Sequence, residues 1–170
     1  MHTLGEPTPT RVIAEGFSTG ASIHEATGHC VHIAFNCHNL KTVAESIRKA
    51  HPDTDLVIAA DDDWKTESNS GLTKGTYAAR SVKAKLAIPT WPENQRCEKD
   101  TDFNDLALSQ GQAHFKTCIG RAAPPLEEEM PAGDRQAVLI RLSELDQIEY
   151  DQIRKTEAKK LGIRAKILDN

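Results

Sequence analysis

The chain has 170 residues, 38% of them hydrophobic, and a formal net charge of −4. That length suits one domain with a short appendage, and the acidic balance excludes nucleic-acid binding by bulk electrostatics, so any polynucleotide contact must be local or bridged by metal. No run of about 18 apolar residues occurs and the amino terminus, MHTLGEPTPT, has neither a basic start nor an apolar stretch, so transmembrane and secretory readings both fail and a cytoplasmic protein with no membrane partner is expected. The four cysteines, Cys30, Cys37, Cys97 and Cys118, are scattered without a CxxC pair, as free thiols in a reducing compartment would be.

In chain order, RVIA (11–14) predicts a first strand that runs into Glu15 and Gly16, followed by a helix over 19–27. CVHIAF (30–35) predicts the second strand. The helix over 40–50 shows its period directly: Leu40, Val43, Ala44 and Ile47 share one face, and Lys41, Glu45, Arg48 and Lys49 the other. DLVIAA (55–60) is the third strand and leads straight into Asp61, Asp62 and Asp63; a helix over 71–83 and a strand over 85–88 (KLAI) follow. A further helix starts near Asp102 or Asn104 and ends near Cys118. Strands alternating with single helices predict right-handed crossovers and an α/β fold: a mainly parallel four-stranded sheet flanked by helices, with a C-terminal helical extension. Pro124, Pro125, Pro131 and three successive glutamates mark 121–133 as a linker between a 1–120 domain and a helical extension or connector over 134–170. In that extension Leu139, Leu142, Leu145, Ile148 and Ile153 are the apolar positions, and Gly162 is a helix cap.

Nothing in strand stability asks for three carboxylates after an apolar run. In a parallel sheet, however, the carboxyl ends of the strands share one edge, and ligands bind in the crevice there. Side-chain alternation sends Asp61 and Asp63 to one side and Asp62 to the other. Glu15 joins them if the first and third strands are neighbours, and EKDTDFND, with Asp100, Asp102 and Asp105, follows the fourth strand to the same edge. Acids without a matching cation call for hard divalent metal, Mg²⁺ or Mn²⁺, and the chemistry that follows is phosphoryl transfer. Asp102 also reads as a helix cap and Asp105 as a first-turn acid, and a cap can double as a ligand. Lys65, Lys74 and Lys99 lie beside these elements as candidate phosphate contacts, although Lys74, Arg80, Lys83 and Lys85 also read as a solvated face. Trp64 and Trp91 read as packing, with base stacking open to Trp64. His29, Cys30, His32, Cys37 and His38 have no zinc-finger spacing.

The ordered segments EGFSTGASIHEATG, VIAADDDWK, GLTKG and EKDTDFNDLA, spanning roughly 11–115, resemble the Toprim domain of phage- and plasmid-type primase-helicases. By that resemblance Glu15 is the catalytic acid or base, Asp61 and Asp63 complete the catalytic and metal-binding set with it, and Asp100, Asp102 and Asp105 form a supplementary acidic element. The resemblance implies Mg²⁺ (or Mn²⁺) as cofactor, nucleotides and single-stranded DNA as partners, and nucleotidyl transfer as the Toprim part of a DNA primase, making RNA primers. A Toprim nuclease and a non-catalytic metal-binding interaction module are the alternatives, since the same metal pincer can activate water. EAKKLGIRAKILDN resembles the connector to a helicase module. No zinc-ribbon cysteines precede Glu15 and no GxxxxGK[ST] occurs, so a zinc-ribbon primase module and a helicase module are expected as other domains or subunits. The stretch WKTESNS before Gly71 predicts a long loop beside the metals.

Overall fold

Five strands make one sheet in the order β1-β3-β2-β4-β5: β1 (His2–Leu4), β2 (Thr10–Ala14), β3 (Cys30–Ile33), β4 (Asp55–Ala59) and β5 (Lys85–Ala87). This is a computed structural model, describing residues 1–66, 68–125, 132–160 and 165–168. β2, β3, β4 and β5 are the four expected strands and pair in parallel. The fifth, β1, runs antiparallel to β3 at the sheet edge. Its three residues are too few to show an alternation. β3 stops at Ile33, two residues short of the expected end, because Phe35 takes a φ of 64° that no strand accommodates.

Central strands buried on both faces read as continuous apolar runs, and VIA and LVIA do so here. One face carries α1 (Phe17–Thr27) and α4 (Phe103–Gly120), whose Ile23, Phe103, Leu106 and Phe115 pack on Val12, Ala14, Val31, Ile33, Val57 and Ala59. The Phe103 and Phe115 rings meet edge to face with centroids 5.7 Å apart. The other face carries α2 (Leu40–Ala50), whose four predicted apolar residues are all buried, and α3 (Ser70–Ser81), against Ile13, Leu56 and Ile58. α4 bends at Gly111, where φ is 77°.

The chain divides into two compact units, Met1–Pro125 and Leu126–Asn170. The first extends past Gly120 because Ala123 forms a bridge with Leu86 through two backbone hydrogen bonds. In the second unit, α5 (Ala132–Ser143), α6 (Gln147–Lys160) and α7 (Ala165–Leu168) are described. Leu142 and Ala158 are buried and Arg141 pairs with buried Glu157 at 3.0 Å, whereas Leu139 and Ile148 are exposed. The glutamate run and Pro131 of the expected linker, and the cap at Gly162, lie outside the described residues. No described helix is long and apolar enough to cross a membrane.

Candidate functional site

β2 and β4 are neighbours in register, Ala14 opposite Ala59, so the next residues, Glu15 and Ala60, leave the sheet level with each other. From β2 the chain moves to β3 on one side, and from β3 it crosses back over β2 to β4. The connection after β2 therefore runs through α1 on one face and the connection after β4 through α3 on the other, which opens a crevice between these two strand ends. Glu15 and Asp61 stand at its mouth. Glu15 is pinned by its neighbours: its carbonyl accepts from the Phe35 N–H at 2.8 Å, and the Gly20 N–H caps the turn onto Gly16 at 3.0 Å.

Strand pairing ends at Ala59, and beyond it the aspartates differ in their neighbours: Asp61 and Asp63 act on each other and on Glu15 electrostatically, whereas Asp62 is hydrogen-bonded to Asn69 and Arg96. Asp61 is the centre of the charge cluster. Burial first, then the carboxylates of Glu15, Asp102, Asp63 and Asp105, push its pKa from 3.8 up to about 7. Glu15 is likewise raised, by burial and then by Asp63, with the Cys37 backbone N–H and His38 partly offsetting them. Among the described residues, the buried side-chain polar atoms without a hydrogen-bond partner are Asp61 Oδ1 and Asn69 Oδ1. Both are acceptors, and a buried acceptor without a donor is costly.

Asp62 has the opposite surroundings. Its Oδ1 accepts from Asn69 Nδ2 at 2.6 Å, its Oδ2 from Arg96 Nη1 at 2.6 Å, and its N–H donates to the Thr101 carbonyl at 2.7 Å. Helix α3 then holds the segment from behind. A Cβ at Gly71 would lie 2.7 Å from the Asp61 carbonyl oxygen, and one at Gly75 would lie 2.5 Å from Ala60 Cβ, so the two glycines of GLTKG let the helix approach the end of β4 and the first aspartate after it.

The second acidic element is a helix start. Asp102 caps α4 with Oδ1 accepting from the Asp105 N–H at 2.8 Å, and Asp105 Oδ2 accepts in return from the Asp102 N–H at 3.3 Å, a capping box. Thr19 Oγ1 donates to Asp102 Oδ2 at 2.9 Å and so ties α1 to α4. Both carboxylates nonetheless face Asp61 closely enough to raise its pKa. Asp100 does not belong to that set: its Oδ2 accepts from the Cys97 N–H at 2.9 Å and closes a turn.

Residues 10–113 match the family model of the Toprim domain. The chain belongs to the Toprim family. Two relatives, each a DNA primase TraC of Escherichia coli, are similar to it: one is 41% identical over 85 residues, 48% of this chain and 8% of the relative, and the other 30% identical over 147 residues, 77% of this chain and 10% of the relative. The chain thus spans a tenth or less of the length of these relatives. A structural neighbour, the RNA polymerase domain of Mycobacterium tuberculosis primase DnaG in complex with a double-stranded DNA oligomer with a 6-nucleotide overhang, is 18% identical with a TM-score of 0.42, over 91% of this chain and 52% of that one.

In this Toprim domain, no three His, Cys, Asp or Glu side chains among the described residues are gathered tightly enough to hold a metal as they stand. The donor chemistry still fits a hard divalent cation: the cluster is all oxygen and negative, and Asp61 in it holds a buried acceptor lacking a donor. Asn69, which the sequence did not single out, donates to Asp62 and keeps its own buried oxygen without a donor. Of the candidate phosphate contacts, exposed Lys74 on α3 reaches Cys37 beside Glu15 electrostatically, Lys99 is exposed, and Lys65 is paired with Glu98 and lies 5.2 Å from the Trp64 ring centre. Trp64, 45% exposed, has both Lys65 and Arg96 beside its ring. Cys30 and His32 lie buried in the sheet with Arg11, whereas Cys37 and His38 lie beyond the strand end.

Proposed function

We propose that this Toprim domain performs divalent-metal-dependent nucleotidyl transfer as part of a DNA primase, joining ribonucleotides on a single-stranded DNA template together with other domains or subunits. The carrying observation is Asp61: a carboxylate with one buried oxygen lacking any donor, facing four further carboxylates at the switch point of a parallel sheet. Glu15, Asp61 and Asp63 would hold Mg²⁺ or Mn²⁺, with Asp102 and Asp105 next to them. Bound metal would neutralise this charge and polarise a phosphoryl oxygen. Glu15, at the end of β2, accepts the proton of the attacking sugar hydroxyl. Lys74 supplies a positive charge for a phosphate from the α3 side.

Gel assays of labelled ribonucleotide incorporation on single-stranded DNA, with and without Mg²⁺, test this reading. Incorporation that needs Mg²⁺ and disappears in Glu15→Gln is the expected result. Nicking of DNA without incorporation would assign the same pincer to a nuclease.

A further inference from the structure

Asp62 has a different task from the aspartates on either side, and Arg96 defines it. The Arg96 guanidinium donates from Nη1 to Asp62 Oδ2 at 2.6 Å and from Nη2 to the Asp62 carbonyl at 2.8 Å. From Nε and Nη2 it also donates to the Asp100 carbonyl, at 3.0 and 2.9 Å. One side chain thereby spans two separate loops, the one after β4 and the one leading into α4. The Asp62 N–H reinforces the link through Thr101. The guanidinium also lies against two indoles, its centre 5.0 Å from the Trp64 ring and 4.5 Å from the Trp91 ring. The pair is sheltered, with side-chain exposures of 23% for Arg96 and 14% for Asp62.

These loops need a tie because each carries acids that repel the other: Asp61 on one, Asp102 and Asp105 on the other. A planar fork with several donors, stacked on aromatic rings, can hold two main-chain segments at a fixed separation, which a lysine cannot. We infer that Arg96 is a positioning residue of the Toprim site, latching the Asp62 loop to the Asp100–Thr101 turn and so fixing how far Asp61 stands from Asp102. The latch follows from geometry alone; its consequence for metal binding rests on the function proposed above. Arg96 touches no reacting group and acts through Asp62.

The chain has two tryptophans, and both flank Arg96, so intrinsic fluorescence reads the latch without metal or label. Wild type, Arg96→Lys and Arg96→Gln are compared as full chains by tryptophan emission and by calorimetric titration with Mn²⁺. In Arg96→Gln the emission should shift to the red and Mn²⁺ affinity should fall about tenfold or more, with Arg96→Lys between it and wild type. A structural role alone would lower the melting temperature but leave Mn²⁺ affinity unchanged well below it, and that result overturns the inference. If Arg96→Gln does not fold, Arg96→Lys decides by the same two readouts. If wild type itself takes up no Mn²⁺, the metal reading fails; the latch then stands or falls on the metal-free measurements. Unchanged emission and unchanged hydrogen exchange of the Asp62 amide in the variant would remove it.

Discussion

Two acidic regions meet at one edge of the sheet, and they differ in who answers their charges. At the start of α4, Asp102 and Asp105 accept from backbone N–H groups and from Thr19, so their oxygens serve the helix. At the strand ends, Asp61 keeps an oxygen buried with no donor at all. A carboxylate bonded by a capping box stabilises the fold with or without metal. One crowded by four other carboxylates weakens the fold until a cation arrives. The difference separates acids that build the site from acids that wait for a ligand.

The largest expected effect is at Asp61. Its folded pKa of about 7 lies above the ordinary 3.8, so over that interval the folded protein keeps a proton that the unfolded chain has released. Stability therefore falls as pH rises through this window, and the full loss, on the order of 4 kcal/mol, is present above it. Asp61→Asn should raise the melting temperature of the metal-free protein at about pH 8 and flatten its pH dependence down to about pH 5. The same substitution should abolish most of the stabilisation by Mg²⁺, about 2.7 kcal/mol in wild type at a hundredfold excess over Kd. Scanning calorimetry of both proteins with and without Mg²⁺ checks this, and four coincident curves would reduce the triplet to a solvated turn.

Gly71→Ala comes next. The added methyl meets the Asp61 main chain, so α3 must withdraw, at about 1–3 kcal/mol, and the Mg²⁺ response should shrink with it. Gly120→Ala, where a Cβ meets nothing within 4 Å, is the control and should be within about 0.5 kcal/mol of wild type. A smaller effect separates the two roles of Asp102. Asp102→Ala loses the cap, about 1 kcal/mol by thermal melting, whereas Asp102→Asn keeps an acceptor and should melt near wild type with a weaker Mg²⁺ response. An unchanged response in Asp102→Asn would make this residue a cap and nothing more. Smallest of all, Asp100→Asn should shift stability by less than about 0.5 kcal/mol and leave the Mg²⁺ response intact; loss of the response would merge the two regions into one ligand set.

The sequence carried the sheet and the strand-end acids because both follow from short-range pattern. An apolar run that stops at a carboxylate places that carboxylate at the shared edge, and Asp-x-x-Asp before an amphipathic segment announces a cap. β1 left no such trace, since three residues at a sheet edge have no period to detect. Arg96 was equally hidden: it lies in irregular chain, and its partners Asp62 and Asp100 become neighbours only after α3 and β5 have been laid down between the two loops. Lys65 looked available for phosphate because nothing local reveals Glu98 beside it. The role of GLTKG was visible as a motif but not as a contact, for a glycine pair in a helix does not say which backbone it approaches.

That contact has a mechanical consequence. With Gly71 and Gly75 seated on Asp61 and Ala60, the end of β4 and the start of α3 are clamped directly to each other. Trp64, against Arg96, and Asn69, bonded to Asp62, then stand on a fixed base like the two feet of a door handle. Chain carried between those two feet can change in length or composition as long as the feet keep their contacts, so what the domain admits to its site can vary while the aspartate beneath stays in place.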